Sequence, residues 1–279
     1  MKGHHLLVGD LRAHYLEAGK GTPLVLLHGS AIDSSLLSYG PSLPGLARDY
    51  RVIAPDWPGY GKSERPPHAL GIPDYVSFLE RFVDAMGLER VHLAGFSMGG
   101  GAALGFALEH PGRVHKLVLI DAYGLGNEVH VPFLPFLALK APRLATTFWG
   151  GLKLSRRLLS VFLKVFVFAD RRKVTPALVH EVYEQLRSPE VERAFMRWIR
   201  GEVGWRRLTT NYADRLGDVA APTLLLHGAR DLIVPASRSR RAARLIPGAR
   251  LHLVPRCGHW LPREASKVFE RELLLFLRD

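Results

Sequence analysis

Three side chains of this 279-residue chain stand where a nucleophile, a base and an orienting acid would be needed. Ser97 lies in Gly95-Phe96-Ser97-Met98-Gly99-Gly100, a G-x-S-x-G run. A serine hydroxyl attacks a carbonyl readily only when a neighbouring base takes its proton. Among thirteen histidines, His259 is the candidate base, because Cys257-Gly258-His259-Trp260 places it beside a turn glycine and after the last apolar run. Such a base needs an acid that fixes its tautomer and stabilises the imidazolium. Asp231, in His227-Gly228-Ala229-Arg230-Asp231-Leu232, also follows an apolar run and is the candidate acid, with Asp121 as its rival. The resulting chain order of serine, aspartate, histidine is one in which such triads occur. The chemistry these residues would perform is acyl transfer through a covalent acyl-serine.

A tetrahedral intermediate also needs donors for its oxyanion. The Met98 amide follows the nucleophile at the start of a small-residue helix, where backbone N–H groups favour negative charge. The second donor is expected from the Ser30 amide in His28-Gly29-Ser30-Ala31, with His28 shaping the loop rather than moving protons. Phe96 and Trp260, next to the nucleophile and the base, are the candidate pocket residues. This chemistry calls for no cofactor and no metal, and no ligand cluster with metal spacing is visible.

The elements that must hold these groups are legible as apolar runs. Pro23–Leu27, Tyr50–Ala54, Arg90–Ala94, Lys116–Ile120, Thr223–Leu226 and Arg250–Val254 are continuous rather than alternating. Continuous apolarity means that both faces are covered, as in a parallel sheet flanked by helices. Tyr75–Met86 and Gly100–His110 carry helical patterns between them. The order strand, helix, strand predicts an α/β fold with a mostly parallel, doubly wound sheet. Residues 124–206 break the pattern, with helical stretches at Pro135–Leu144, Leu154–Phe168, Pro176–Arg187 and Val191–Arg200. That block is too long for a βα connection. The predicted organisation is a core of residues 1–123 and 207–279 with a helical insertion of residues 124–206.

His28-Gly29-Ser30, the D-x-P-G-x-G-x-S run from Asp56 to Ser63, Gly95–Gly100, His227–Pro235 and Gly258-His259 together resemble the α/β-hydrolase superfamily over nearly the whole chain. That resemblance implies the α/β-hydrolase fold, with the insertion as a cap, or lid, over the pocket. Serine at position 97 sets the chain apart from the branches that use aspartate there, the epoxide hydrolases and haloalkane dehalogenases. The Gly-Phe-Ser-Met-Gly-Gly string resembles esterases, so the expected function is cleavage of small to medium, largely apolar carboxylic esters. Two alternatives remain. Trp260 resembles the carbon–carbon bond hydrolases of meta-cleavage type, which typically carry asparagine where this chain has Phe96 and present a cap arginine to a keto-acid. Cofactor-free perhydrolases share the nucleophile string but usually carry tryptophan where this chain has Ser30. A non-catalytic receptor of the same fold is a third class, disfavoured because all three candidate residues are present.

The net charge is +12. A basic surface attracts nucleic acid, anionic lipid or anionic substrate. Here the arginines are scattered, often as pairs, with no polybasic run and no nucleic-acid motif. The charge is read first as compositional, with a functional anion-attracting patch as the alternative. The longest greasy stretch, Leu158–Phe168, is interrupted by Lys164 and falls short of the ~20 residues a membrane-spanning helix requires. With one cysteine, Cys257, and no signal-peptide pattern, the expectation is a cytoplasmic monomer or homodimer. Its partner would be a small-molecule ester substrate, without nucleic acid and without a membrane interface.

Overall fold

The structure is a computed structural model. It describes residues 2–66, 68, 70–126, 142–202, 204 and 207–279, and of residues 142–146 and 148 the backbone alone. The strands are β1 (Lys2–Val8), β2 (Leu11–Ala18), β3 (Pro23–Leu27), β4 (Arg51–Pro55), β5 (Val91–Phe96), β6 (Val114–Ile120), β7 (Thr223–Gly228) and β8 (Arg250–Val254). They form one sheet in the order β1-β2-β4-β3-β5-β6-β7-β8. From β4 to β8 every pairing is parallel. All six continuous apolar runs are strands, within two residues of their expected ends.

The sequence pattern gave no sign of β1 and β2, which pair antiparallel with each other and join the sheet through β4. Only Val8 of β1 is buried. An edge strand with so little covered surface has no reason to carry a continuous apolar run.

The helices flanking the sheet are α1 (Ser35–Tyr39), α2 (Leu43–Leu46), α3 (Ile72–Ala85) and α4 (Met98–Glu109). Next come α5 (Pro142–Leu154), α6 (Arg156–Phe162), α7 (Pro176–Leu186) and α8 (Pro189–Glu202), all between β6 and β7. After β7 follow α9 (Ala236–Leu245), α10 (Leu261–Glu264) and α11 (Ser266–Arg278). One face of the sheet is covered by α3 and α4, through Leu79, Phe82 and Phe106. The other is covered by α11, through Phe269 and Leu273, together with Tyr39. Each such side chain, fully withdrawn from water, contributes about 1.5–3 kcal/mol.

Helices α5 to α8 lie in the stretch where the sequence predicts helices, with one difference. Leu154–Phe168 is not one helix: Ser155 caps α6 by accepting from the Leu158 amide at 3.3 Å. The chain then loosens into a π-helical turn over Leu163–Val167 before extending at Phe168. Most of the expected helix Pro135–Leu144, and residue 206 at the far limit of the insertion, lie outside the described residues. No described helix is long and apolar enough to cross a membrane.

Candidate active site

β5 runs into α4 through a turn with no room for side chains at its glycines. A Cβ on Gly95 would fall 2.2 Å from the Gly99 carbonyl oxygen, and one on Gly99 would fall 2.4 Å from that of Leu27. The close approach forces Ser97 to φ 51°, ψ −115°, a region L-residues avoid. The strain is held by neighbours. The Ser97 amide donates to Ile120 O at 2.9 Å, while its carbonyl accepts from the amides of Gly100, Gly101 and Tyr123. The hydroxyl is thereby lifted off the carboxyl end of the sheet, half-buried, with the Met98 amide at the first turn of α4.

His259 Nε2 lies 3.0 Å from Ser97 Oγ, and His259 Nδ1 lies 2.7 Å from Asp231 Oδ2. The second carboxylate oxygen of Asp231 accepts from the amides of Ile233 and Val234 at 2.8 and 2.9 Å. Ser97, His259 and Asp231 thus form one hydrogen-bonded chain. Asp121 is not part of it. That residue, at φ 44°, spends its oxygens on the amides of Gly228 (2.8 Å) and Leu261 (3.4 Å).

Behind Asp231 stands His227, for which the sequence raises no expectation of its own. Its Nε2 is 3.4 Å from Asp231 Oδ2 and 3.7 Å from Asp121 Oδ1, and all three side chains are fully buried. Burial opposes the charge on Asp231, but the proximity and hydrogen bonds of His259 and His227 outweigh it and hold the carboxyl below the ordinary range. Burial, reinforced by the Asp231 charge, drives Asp121 the other way, well above that range. His227 is raised by the two carboxylates despite its own burial. The three residues could in principle ligate a cation, but His227 Nδ1 and Nε2 already meet Ser239 Oγ at 2.7 Å and Val234 O at 2.9 Å, and both aspartates accept backbone amides.

The loop after β3 is fixed by polar groups. The Trp57 amide donates to His28 Nε2 at 3.0 Å, so that nitrogen is unprotonated and Nδ1–H donates to Gly29 O at 2.8 Å. With both ring nitrogens occupied, His28 shapes the loop, as expected. Asp33, a residue without any motif, accepts from the Gly29 amide and the Ser38 hydroxyl, both at 2.7 Å. Ala31 at φ 63° turns the chain just after the half-buried Ser30. The D-x-P-G-x-G-x-S loop is anchored by Asp56, which accepts from Ser35, Lys62 and His14.

Phe96 and Trp260 are both buried. The Phe96 ring lies 5.2 Å from that of His259, tilted by 45°. Trp260 donates through Nε1 to Ser38 Oγ at 2.8 Å and packs edge-on against Phe168 at 6.1 Å. Two further carboxylates, Glu202 and Glu264, had no sequence signal. Glu264 accepts from the amides of Gly258 (2.8 Å) and Asp170 (2.7 Å), linking the histidine loop to the insertion.

A serine, a histidine and an aspartate so arranged at the carboxyl end of a parallel sheet can be compared with known proteins. The profile of the alpha/beta hydrolase fold family matches residues 22–265. The chain belongs to that family. It is 33% identical, over 98% of its length and 93% of the relative's, to the 2-hydroxy-6-oxononadienedioate/2-hydroxy-6-oxononatrienedioate hydrolase of Comamonas testosteroni. It is 32% identical, with the same coverage, to the 2-hydroxy-6-oxo-6-phenylhexa-2,4-dienoate hydrolase of Burkholderia cepacia. Its fold superposes on a meta-cleavage product hydrolase from Pseudomonas fluorescens IP01 with a TM-score of 0.83, at 29% identity and covering 99% of this chain and 97% of that one.

The fold and the family stand as expected, and the chain is a hydrolase of that fold. The expectation of carboxylic ester cleavage does not stand, because full-length relatives are named as hydrolases of 2-hydroxy-6-oxo-dienoates, compounds that contain no ester bond. The reason for the error is chemical. A nucleophile, base and acid determine how a carbonyl is attacked, and the G-F-S-M-G-G string describes only that machinery. Which bond then breaks depends on the leaving group, an alkoxide or a stabilised carbanion, and that choice is made outside the motif.

Proposed function

We propose that this protein hydrolyses a carbon–carbon bond in 2-hydroxy-6-oxo-2,4-dienoates, with Ser97 as nucleophile, His259 as base and Asp231 as the acid that orients it. The observation that carries the reading is that relatives 32–33% identical over 98% of the chain are named for substrates of this one type. The 3.0 and 2.7 Å contacts of His259 with Ser97 and Asp231 support the assignment of roles.

In such a substrate, ketonisation moves the 2-hydroxyl proton to C5. Ser97 Oγ then bonds to C6 while His259 takes its proton, and the amides of Met98 and Ser30 stabilise the oxyanion. Each donor of this kind is worth ~2.7–4 kcal/mol in the transition state. Collapse breaks the C5–C6 bond, and its electron pair is delocalised into the C2 carbonyl. The dienolate takes the proton from His259 and leaves. Water, deprotonated by His259, adds to the acyl carbon, Ser97 recovers its proton, and a carboxylic acid is released.

Residues 124–206 serve in this scheme as a cap that closes the site from water, on a core of residues 1–123 and 207–279. Phe96 and Trp260 form part of the apolar wall; with phenylalanine in place of asparagine, the side of the site next to Ser97 favours an aryl or alkyl group on C6.

Turnover of 2-hydroxy-6-oxo-6-phenylhexa-2,4-dienoate, followed as loss of its conjugated absorbance, tests the reading. Wild type is expected to consume it and Ser97→Ala is not. If wild type turns over none of the 6-phenyl, 6-methyl or dicarboxylate dienoates, the proposal is wrong.

A further inference from the structure

We infer that the groove between the insertion segment Lys164–Arg171 and the loop Arg230–Leu232 is the portal through which an amphipathic carboxylate reaches Ser97. This inference rests on the function proposed above and adds where the anionic substrate enters.

The groove has a volume of about 340 Å³, and three of its lining residues, Lys164, Arg171 and Arg230, are cationic. No carboxylate lines it among the described residues, and none of the three cations is ion-paired there. Of the acids adjacent in sequence to these cations, Asp170 is taken by Arg172, with contacts of 2.9 Å, and Asp231 by His259 at 2.7 Å. Between the charges stand large apolar side chains open to solvent: Leu232 is 63% exposed, Phe166 44% and Val165 41%. Clustered apolar exposure rimmed by charge marks a ligand or partner site. A carboxylate joined to an apolar tail complements both features.

The walls of the groove are also the supports of the candidate triad. The His259 amide donates to Val167 O at 2.8 Å, and the Arg230 amide donates to Cys257 O at 2.9 Å. Phe168 packs on Trp260. Asp231 lies between Arg230 and Leu232 in the other wall. A molecule moving inward from the groove therefore meets the two segments that carry the base and the acid. The π-helical turn Leu163–Val167 carries Lys164 of the groove lining and ends at Val167, whose carbonyl accepts from the His259 amide.

A cationic mouth raises the association rate of an anion by 10–10³-fold, and salt removes the gain. Generic attraction by the basic chain would do the same, so a control patch is needed. A separate basic concavity on α9, lined by Arg240, Arg241 and Arg244, provides one.

The test compares Lys164→Glu/Arg171→Glu with Arg240→Glu/Arg244→Glu, two double variants of equal net charge. The readout is the rate at which Ser97 is labelled by an aryl phosphonate bearing a carboxylate and by its neutral methyl ester, scored by intact mass. At low salt the groove variant should label at least about fivefold more slowly with the anionic reagent only, and the gap should close in 0.5 M salt. The α9 variant should stay within twofold of wild type, and Leu232→Trp should slow both reagents. Equal slowing by the two double variants, or none by the groove variant, overturns the portal, as does failure of wild-type Ser97 to label. Melting temperatures confirm that the variants are folded. Because labelling does not require carbon–carbon cleavage, a labelled protein inert towards dienoates would refute the proposed function and leave the portal result standing.

Discussion

His227 Nε2 stands 3.4 Å from Asp231 Oδ2, the same oxygen that receives His259 Nδ1 at 2.7 Å. One carboxylate oxygen is therefore bonded to His259 and faced by His227, whose Nε2 meets Val234 O at 2.9 Å, and the other is held by two backbone amides. Asp231→Asn would keep the amide contacts and turn an N–H donor towards His259 Nδ1. His259 would then carry its proton on Nε2, where it cannot accept from Ser97. A fall in kcat of about 10⁴-fold is expected. Asp121→Asn keeps an acceptor for the Gly228 amide and should cost less than tenfold. Steady-state kinetics on a dienoate decide between the rivals; the reverse ranking would make Asp121 the acid.

The same cluster predicts a pH-dependent stability. Asp121 is held above its ordinary value, by burial first and by Asp231 after it. The folded protein thus keeps a proton that the unfolded chain releases near pH 4. Stability from this group falls as pH rises above that point. His227, whose value is raised against its burial by the neighbouring carboxylates, loses its contribution as pH rises above the ordinary histidine range. Asp231 acts with the opposite sign and loses its contribution only in acid. Asp121→Asn should flatten the decline of Tm between pH 5 and pH 8, measured by calorimetry. A Tm profile parallel to wild type would show that Asp121 does not carry this proton.

The parallel strands were legible because a strand covered on both faces has to be apolar throughout, and Leu24–Leu27 or Leu224–Leu226 have no other reading in this setting. Ser97 and His259 were legible because a tight turn leaves glycines around them. The edge strand β1 was not, since it is bound by backbone bonds that leave no side-chain pattern, and the buried run Ala13–Leu16 of β2 is interrupted by the polar His14. Asp33, Glu202 and Glu264 were hidden for a related reason. Glu202 and Glu264 receive backbone amides distant in sequence, from Ile72 and Asp170, and Asp33 receives those of Gly29 and Ser34 within an irregular loop that has no periodic pattern to mark it. His227 had a weak signal in its His-Gly pair, which repeats His28-Gly29 at the end of another strand.

Glu202, 2% exposed, ties the end of α8 to the core. It accepts from the Ile72 amide at 2.8 Å, the Tyr123 hydroxyl at 3.0 Å and the Thr210 amide at 3.1 Å. Removing the carboxylate leaves buried donors unmatched, at about 1–3 kcal/mol for a buried group. Glu202→Ala should lower the free energy of urea unfolding by at least that much, and Glu202→Gln by less, because the amide oxygen still accepts. Equal stability of Glu202→Ala and wild type would mean that water replaces the carboxylate freely.

Glu264 does for the histidine loop what Glu202 does for α8, but its failure should be read in catalysis. Its two oxygens divide between the Gly258 amide, next to His259, and the Asp170 amide in the insertion. Gly258 itself is pressed against the insertion, where a Cβ would lie 2.3 Å from Val167 O. Without Glu264 the histidine loop keeps the 2.8 Å bond from its own amide to Val167 O but loses the strut beside it. A displacement of order 1 Å between base and nucleophile costs up to ~10²-fold. Glu264→Ala is therefore expected to lower kcat by about tenfold with KM changed less than threefold. Glu264→Gln, which keeps one good acceptor, should recover part of the loss. A change confined to KM would place Glu264 in substrate binding, and a loss of Tm with kcat intact would make it a purely structural tie.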